Sequence, residues 1–138
     1  MIALAHADLV VADLERALGF YVGLLGGTVA DDAVLEGAVP AFYSAGRAAR
    51  MRLVMIRLAP FGAMLELMAF DPPLPTVAGG VHVSLLIDDL AATRARLAAA
   101  RVALVSEVMT VDLPRLGAAQ IAFVRDPDGY LVELVEAR

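Results

Sequence analysis

Apolar and polar positions follow one pattern twice along this chain. His6-Ala-Asp-Leu-Val-Val-Ala-Asp13-Leu14 opens on a histidine, runs through an apolar stretch and reaches an Asp-Leu pair. His82-Val-Ser-Leu-Leu-Ile-Asp-Asp89-Leu90 repeats it at the same spacing. Each run reads as a strand, whose side chains alternate between two faces. Each Asp is placed to cap a helix, its carboxylate accepting hydrogen bonds from the free N–H groups of the first turn. One helix is expected over residues 14–25, with Leu14, Leu18, Tyr21 and Leu25 in one stripe. The other is expected over residues 90–101, with Leu90, Leu97 and many alanines, which favour helix.

Each half then closes with a hairpin. Residues 52–58 and 63–70 flank the turn Ala59-Pro-Phe-Gly62, and residues 119–125 and 130–135 flank Asp126-Pro-Asp-Gly129. At a fixed offset, Leu65-Glu66-Leu67 falls over Val132-Glu133-Leu134 and Gly62 over Gly129, with no gap across either hairpin. A weaker strand is expected at residues 27–32 and 102–106, so each half reads βαβββ. The segments 33–50 and 107–117 are expected as loops at a pocket mouth, where substrate choice resides. Pro72, Pro73 and Pro75 cannot continue a ladder or a helix, so residues 71–80 form a linker. The expected organisation is one compact α+β domain, with a first module over 1–70 and a second over 81–138.

Composition narrows the function classes. The chain has 138 residues, 60% of them apolar, but no run reaches the roughly 18 apolar residues of a membrane span. Its first residues lack a basic segment before the apolar run, so no signal peptide is expected, and the location is expected to be cytoplasmic. There is no cysteine, hence no disulfide and no thiolate ligand; a metal must use His, carboxylate or water. Net charge is −5, and the basic residues are scattered arginines with one small cluster at Arg47, Arg50 and Arg52. That excludes a nucleic-acid face. The apolar surplus fits either a homodimer interface or a greasy pocket for a small molecule.

The repeat itself supplies the candidate site. Glu66 and Glu133 sit inside strands between bulky aliphatics, where an unpaired carboxylate costs several kcal/mol. Two such acids, at matching places in two repeats that each begin with a strand histidine, need one explanation. A divalent cation shared by His6, Glu66, His82 and Glu133 provides it. Face alternation extends the pocket to Met64, Met68 and Ser84, and a tight first hairpin adds Met55 and Arg57. By repeat equivalence, the second half adds Gln120 and Ala122. Asp8, symmetric with Ser84, reads as a group supporting the ligands, a base, or a strand-end residue in water.

These residues resemble the glyoxalase/bleomycin-resistance/extradiol-dioxygenase superfamily, the vicinal oxygen chelate proteins. The resemblance is carried by His6 through Tyr21 with Leu25-Gly26, by Leu65-Glu66-Leu67, by Gly80 through Leu90, and by Ile121 through Val135. It implies two βαβββ modules wrapping a curved mixed sheet around a central pocket, often within a dimer. It also implies ligands on the first and last strands of each module, which here are His6, Glu66, His82 and Glu133. One divalent ion is implied, with Fe, Ni, Co, Mn and Zn all open. Members with two His and two Glu are glyoxalase I and methylmalonyl-CoA epimerase, in which a glutamate moves a proton beside a carbonyl; Glu133 or Glu66 would be that base. If Glu66 does not ligate, then His6, His82 and Glu133 form the two-His, one-carboxylate triad of Fe(II) dioxygenases acting on aromatic substrates. A third reading is an antibiotic-binding resistance protein.

Overall fold

A computed structural model describes residues 6–58, 64–76, 82–113 and 117–137. The chain divides into two compact units, Met1–Val77 and Ala78–Arg138. The turn expected at 59–62 and the end of the linker lie outside the described residues.

In the first unit, β1 (His6–Val10) leads to a helix, β2 (Thr28–Glu36), a short α2 (Ala38–Tyr43), and the hairpin of β3 (Arg50–Arg57) and β4 (Met64–Asp71). The sheet order is β1-β4-β3-β2, with β1 parallel to β4 and the other pairs antiparallel. The second unit repeats this with β5 (His82–Leu86), a helix, β6 (Met109–Leu113), β7 (Gly117–Arg125) and β8 (Leu131–Ala137), in the order β5-β8-β7-β6. β5 is parallel to β8. These are two α+β modules, each a four-stranded mixed sheet.

The capping aspartates behave as the sequence predicts. Asp13 Oδ1 accepts the Arg16 N–H at 3.0 Å and Asp89 Oδ1 accepts the Ala92 N–H at 2.8 Å. The helices they start are shorter than expected. The first is α-helical only over α1 (Leu14–Leu18) and continues as a π-helical turn over Gly19–Leu24. That wider turn lets Leu25 N–H reach the Phe20 carbonyl at 3.0 Å and brings Phe20 and Tyr21 together into the core. The buried stripe is therefore Leu14, Ala17, Phe20 and Tyr21, with Leu18 and Leu25 only half-buried. Gly27 follows because no side chain fits: a Cβ there would lie 2.6 Å from Ile56 Cγ2 and 2.9 Å from the Tyr21 carbonyl oxygen. The second helix, α3, spans Leu90–Ala99.

One face of each sheet is covered by its helix, with α1 against β4 and α3 against β8. Leu9, Val54, Ile56, Leu65 and Leu67 fill the first helix-side core, and Leu85, Ala122, Val124, Val132 and Leu134 the second. Polar groups pin each helix to its sheet. Arg52 donates two bonds to Asp32 at 2.7 and 2.9 Å and one to Glu15 of α1 at 2.9 Å. Those two acids hold the guanidinium charged far above its ordinary range, and Arg52 in turn lowers the Asp32 pKa. In the second unit Glu136 Oε2 accepts the Leu90 N–H at 2.6 Å, at the start of α3.

Three connecting segments differ from expectation. Residues 102–106 form no strand, only a bridge between Leu104 and Val124, and the second strand of this module is instead Met109–Leu113, inside the expected loop. The expected loop 33–50 contains the end of β2 and α2. The two hairpins also close differently. Arg57 pairs with Met64 and Arg125 with Leu131, so the second connection is one residue shorter and β7 slides by one position relative to the repeat equivalence. Asp126 sets this turn: its Oδ1 accepts the N–H groups of Asp128 at 2.9 Å and Tyr130 at 2.8 Å.

Two stability outcomes follow. Leu67→Ala, at a position with no exposed surface, is expected to lower the free energy of unfolding in urea by about 2–5 kcal/mol. Asp126→Ala, which leaves two turn N–H groups without their acceptor, is expected to lower it by about 1–3 kcal/mol in the same assay.

Candidate metal centre

The sheet face opposite each helix carries the candidate chemistry. Parallel pairing of the first and last strands sets Asp8 level with Glu66, and His6 level with Met64. His6 lies two residues before Asp8, so His6, Asp8, Met64 and Glu66 share one face. His6 Nε2 is 3.3 Å from Asp8 Oδ1 and 3.8 Å from Glu66 Oε2. One donor atom from each of the three residues lies within 4.8 Å of the others. The Glu66 side chain is only 8% exposed, against 34% for His6 and for Asp8. Among the described residues, no hydrogen bond satisfies the Glu66 carboxylate. Its pKa is raised, first by burial and then by the negative Asp8 beside it, with His6 opposing.

The second unit builds the same pair with fewer acids. Ser84 is level with Glu133 and His82 with Leu131. His82 Nε2 is 3.8 Å from Glu133 Oε2, with the imidazole 56% and the carboxylate 16% exposed. Ser84, exposed and neutral, stands where the first unit has Asp8.

The pocket residues divide between those faces. Met55 pairs across from Glu66, Arg57 across from Met64, and both share the Glu66 face as the sequence predicts. Met68 shares it too but is buried, packed with Ala48, Met51 and Phe70 in a small core that closes this end of the sheet. In the second unit the one-residue slide corrects the expectation. Phe123, not Ala122, pairs across from Glu133. Ala122 lies opposite Leu134 and is fully buried on the helix side, and Gln120 lies opposite Glu136 on that same side. Phe123 packs with the cluster of Ala119, Ile121 and Val135 on the Glu133 face. Residue counts give no signal of it, since the two hairpins align without a gap; the shift lies in the register that the Asp126 turn accompanies.

The first unit's donor set suits a divalent ion. Ligand atoms held at about 2.0–2.2 Å from one ion lie roughly 3–4 Å from each other at ordinary coordination angles. The 3.3 and 3.8 Å separations match that spacing. Two carboxylates and one imidazole also leave a net negative charge even when His6 is protonated. His6, Asp8 and Glu66 in the first unit, and His82 and Glu133 in the second, are the groups able to hold a cation.

Two mixed-sheet βαβββ modules with such a face define a protein of the glyoxalase-like fold. The chain belongs to the Glyoxalase/Bleomycin resistance protein/Dioxygenase superfamily, whose family model matches residues 3–134. Among solved structures, a glyoxalase family protein from Bacillus cereus is similar with a TM-score of 0.79 at 20% identity, covering 99% of this chain and 94% of that one. The trypanothione-dependent glyoxalase I of Leishmania major gives a TM-score of 0.71 at 24% identity, covering 99% and 88%. An antibiotic-binding protein from Streptomyces sp. CB03234 gives 0.67 at 23% identity, covering 100% and 98%. No curated protein matches the sequence. No helix among the described residues is long and apolar enough to cross a membrane.

The raised Glu66 pKa has a consequence for protein freed of metal by a chelator. A carboxyl whose folded pKa is raised stabilises the fold while protonated and loses that contribution as pH climbs through the raised value. Glu66→Gln has no charge to desolvate. The variant is expected to melt at higher temperature than the parent near pH 8. The gap should close below pH ~4.3, the ordinary glutamate value. Melting curves across that range check it, and a gap independent of pH would show that burial does not act on the charged form.

Proposed function

We propose that this chain is a divalent-metal-dependent enzyme that moves a proton beside the carbonyl of a small enolisable substrate, as an isomerase, lyase or epimerase of the glyoxalase type. One observation carries the reading. In each unit an imidazole Nε2 from the first strand stands 3.8 Å from a carboxylate Oε2 of the last strand. A fold needs no such pair twice for stability, because an imidazole that keeps a third to a half of its surface in water gains little from a carboxylate. Cation binding accounts for it, with His6, Glu66, His82 and Glu133 as the ligands.

When bound, a divalent ion would polarise a substrate carbonyl and stabilise the negative charge developing on its oxygen. The protein's own groups do the rest. Glu66, deeper and flanked by His6 and Asp8, serves to hold the ion. Glu133 is the group we assign to the proton: it is less buried and its cross-strand neighbour on β5 is the neutral Ser84. Phe123, across from Glu133, and Met55, across from Glu66, offer apolar surface to the substrate carbon skeleton.

Antibiotic binding and Fe(II) oxygenation are the competing chemistries of this superfamily, and the same experiment separates them. Untagged protein is analysed for metal, then incubated in D₂O with hemithioacetals of 1,2-dicarbonyls and with acyl thioesters while NMR follows deuterium entering beside the carbonyl. One divalent ion per chain and metal-dependent exchange are expected. Glu133→Gln should slow that exchange by about 100-fold or more while retaining the ion. Oxygen uptake on a catechol with Fe(II), and no exchange, would reassign the protein to the oxygenases. Tight binding of a cationic antibiotic by metal-free protein would make it a binding protein.

A further inference from the structure

Building on the cation site proposed above, we propose that Asp8 is itself a ligand of the ion, so that the first unit carries a one-histidine, two-carboxylate set, His6, Asp8 and Glu66. Parallel register brings Asp8 level with Glu66 on the neighbouring strand, and strand alternation puts His6 on the same face. Both carboxylates approach one atom, His6 Nε2, at 3.3 and 3.8 Å. That nitrogen carries at most one proton, which cannot satisfy two acids. The donor atoms of all three residues lie within 4.8 Å of each other. Glu66 supplies an independent observation. Its side chain is more than nine-tenths buried and turned into this cluster, and it accepts no hydrogen bond among the described residues.

The second unit lacks the third donor. Ser84 takes the Asp8 position beside Glu133, leaving one imidazole and one carboxylate. The duplicated fold thus has unequal halves, and the first is the one that captures the ion. Its oxygen-rich donors favour Mn²⁺ and Fe²⁺ over metals that prefer nitrogen and sulfur. A third donor in the first unit also allows Glu133 to act on a proton without leaving the cation poorly held.

The test uses the full chain stripped with a chelator and titrated with Mn²⁺, read by the EPR signal of the free ion and by water-proton relaxation of the bound ion. Asp8→Ala, at a one-third-exposed position, is expected to fold as the parent by circular dichroism. It should weaken Mn²⁺ binding by about tenfold or more and raise the number of ion-bound waters by one, as water replaces the lost carboxylate. Unchanged affinity overturns the inference, and so does weaker binding with an unchanged water count, which would make Asp8 a positioning residue. If Asp8→Ala binds as the parent while His6→Ala loses the ion, Asp8 falls and the cation site stands. If the parent binds neither Mn²⁺, Co²⁺ nor Zn²⁺, both fall together.

Discussion

Parallel pairing between the first and last strands of each module is the constraint on which the site depends. Parallel neighbours cannot be joined by a tight turn, so a helix and two further strands must intervene before the chain returns. That long excursion brings Glu66 beside Asp8 and Glu133 beside Ser84. It also fixes direction: in a parallel pair, residues at matched positions point to the same face. A histidine near the start of the first strand then lies one strand spacing, roughly 4.8 Å, from the row carrying the glutamate. The 3.8 Å approach of imidazole to carboxylate in both units is a consequence of topology before it is a consequence of chemistry.

Charge is handled differently on the two faces of the first sheet. On the helix side Asp32 and Glu15 converge on Arg52, with three hydrogen bonds of 2.7–2.9 Å. Those acids are exposed, and the guanidinium neutralises them in water, where such a pair is worth little. On the other side Asp8 and Glu66 converge on one imidazole, and Glu66 is removed from solvent. The nearest arginine in register on that face is Arg57, which is level with Met64 rather than with either acid. Burial of Glu66 strengthens its repulsion from Asp8 and withholds water from its carboxylate. Arg52 neutralises the acids on the helix side; on the other face the His6 imidazole is the only basic group within 4 Å of Asp8 and Glu66 among the described residues.

Much of this was legible in the sequence, and the reasons differ for each element. The two Asp caps, the strand histidines and the buried glutamates could be read because each is a local signal repeated at one spacing, and repetition separates it from chance. Face-sharing by Met55, Met64 and Glu66 was legible for a related reason: strand alternation is rigid, so one correct pairing fixes a whole face. The same rigidity explains the error at Gln120 and Ala122. A turn shorter by one residue moves every side chain of β7 to the opposite face, and the sequence alignment had assumed equal turns. β6 was missed although Met109, Val111 and Leu113 alternate with polar Thr110 and Asp112, because the preceding apolar residues 102–105 competed for the same strand. The π-helical turn after Leu18 had no local signal; the chain leaving it packs Gly27 closely against Tyr21 and Ile56.

The role of Asp8 lay open for the opposite reason. From sequence it was one acid two residues after His6 on the first strand, equally suited to a strand end in water, to a base or to a supporting contact. Only the distance from His6 and the depth of Glu66 rank those roles. Duplication made the other four residues conspicuous because they match; Asp8 matters because it has no match, with serine in its place in the second module. A repeated fold shows where a site is by what its halves share. How the labour is divided within that site is written in the positions where they differ. Here the first half gathers two carboxylates around its imidazole, and the second sets a single carboxylate beside a neutral serine.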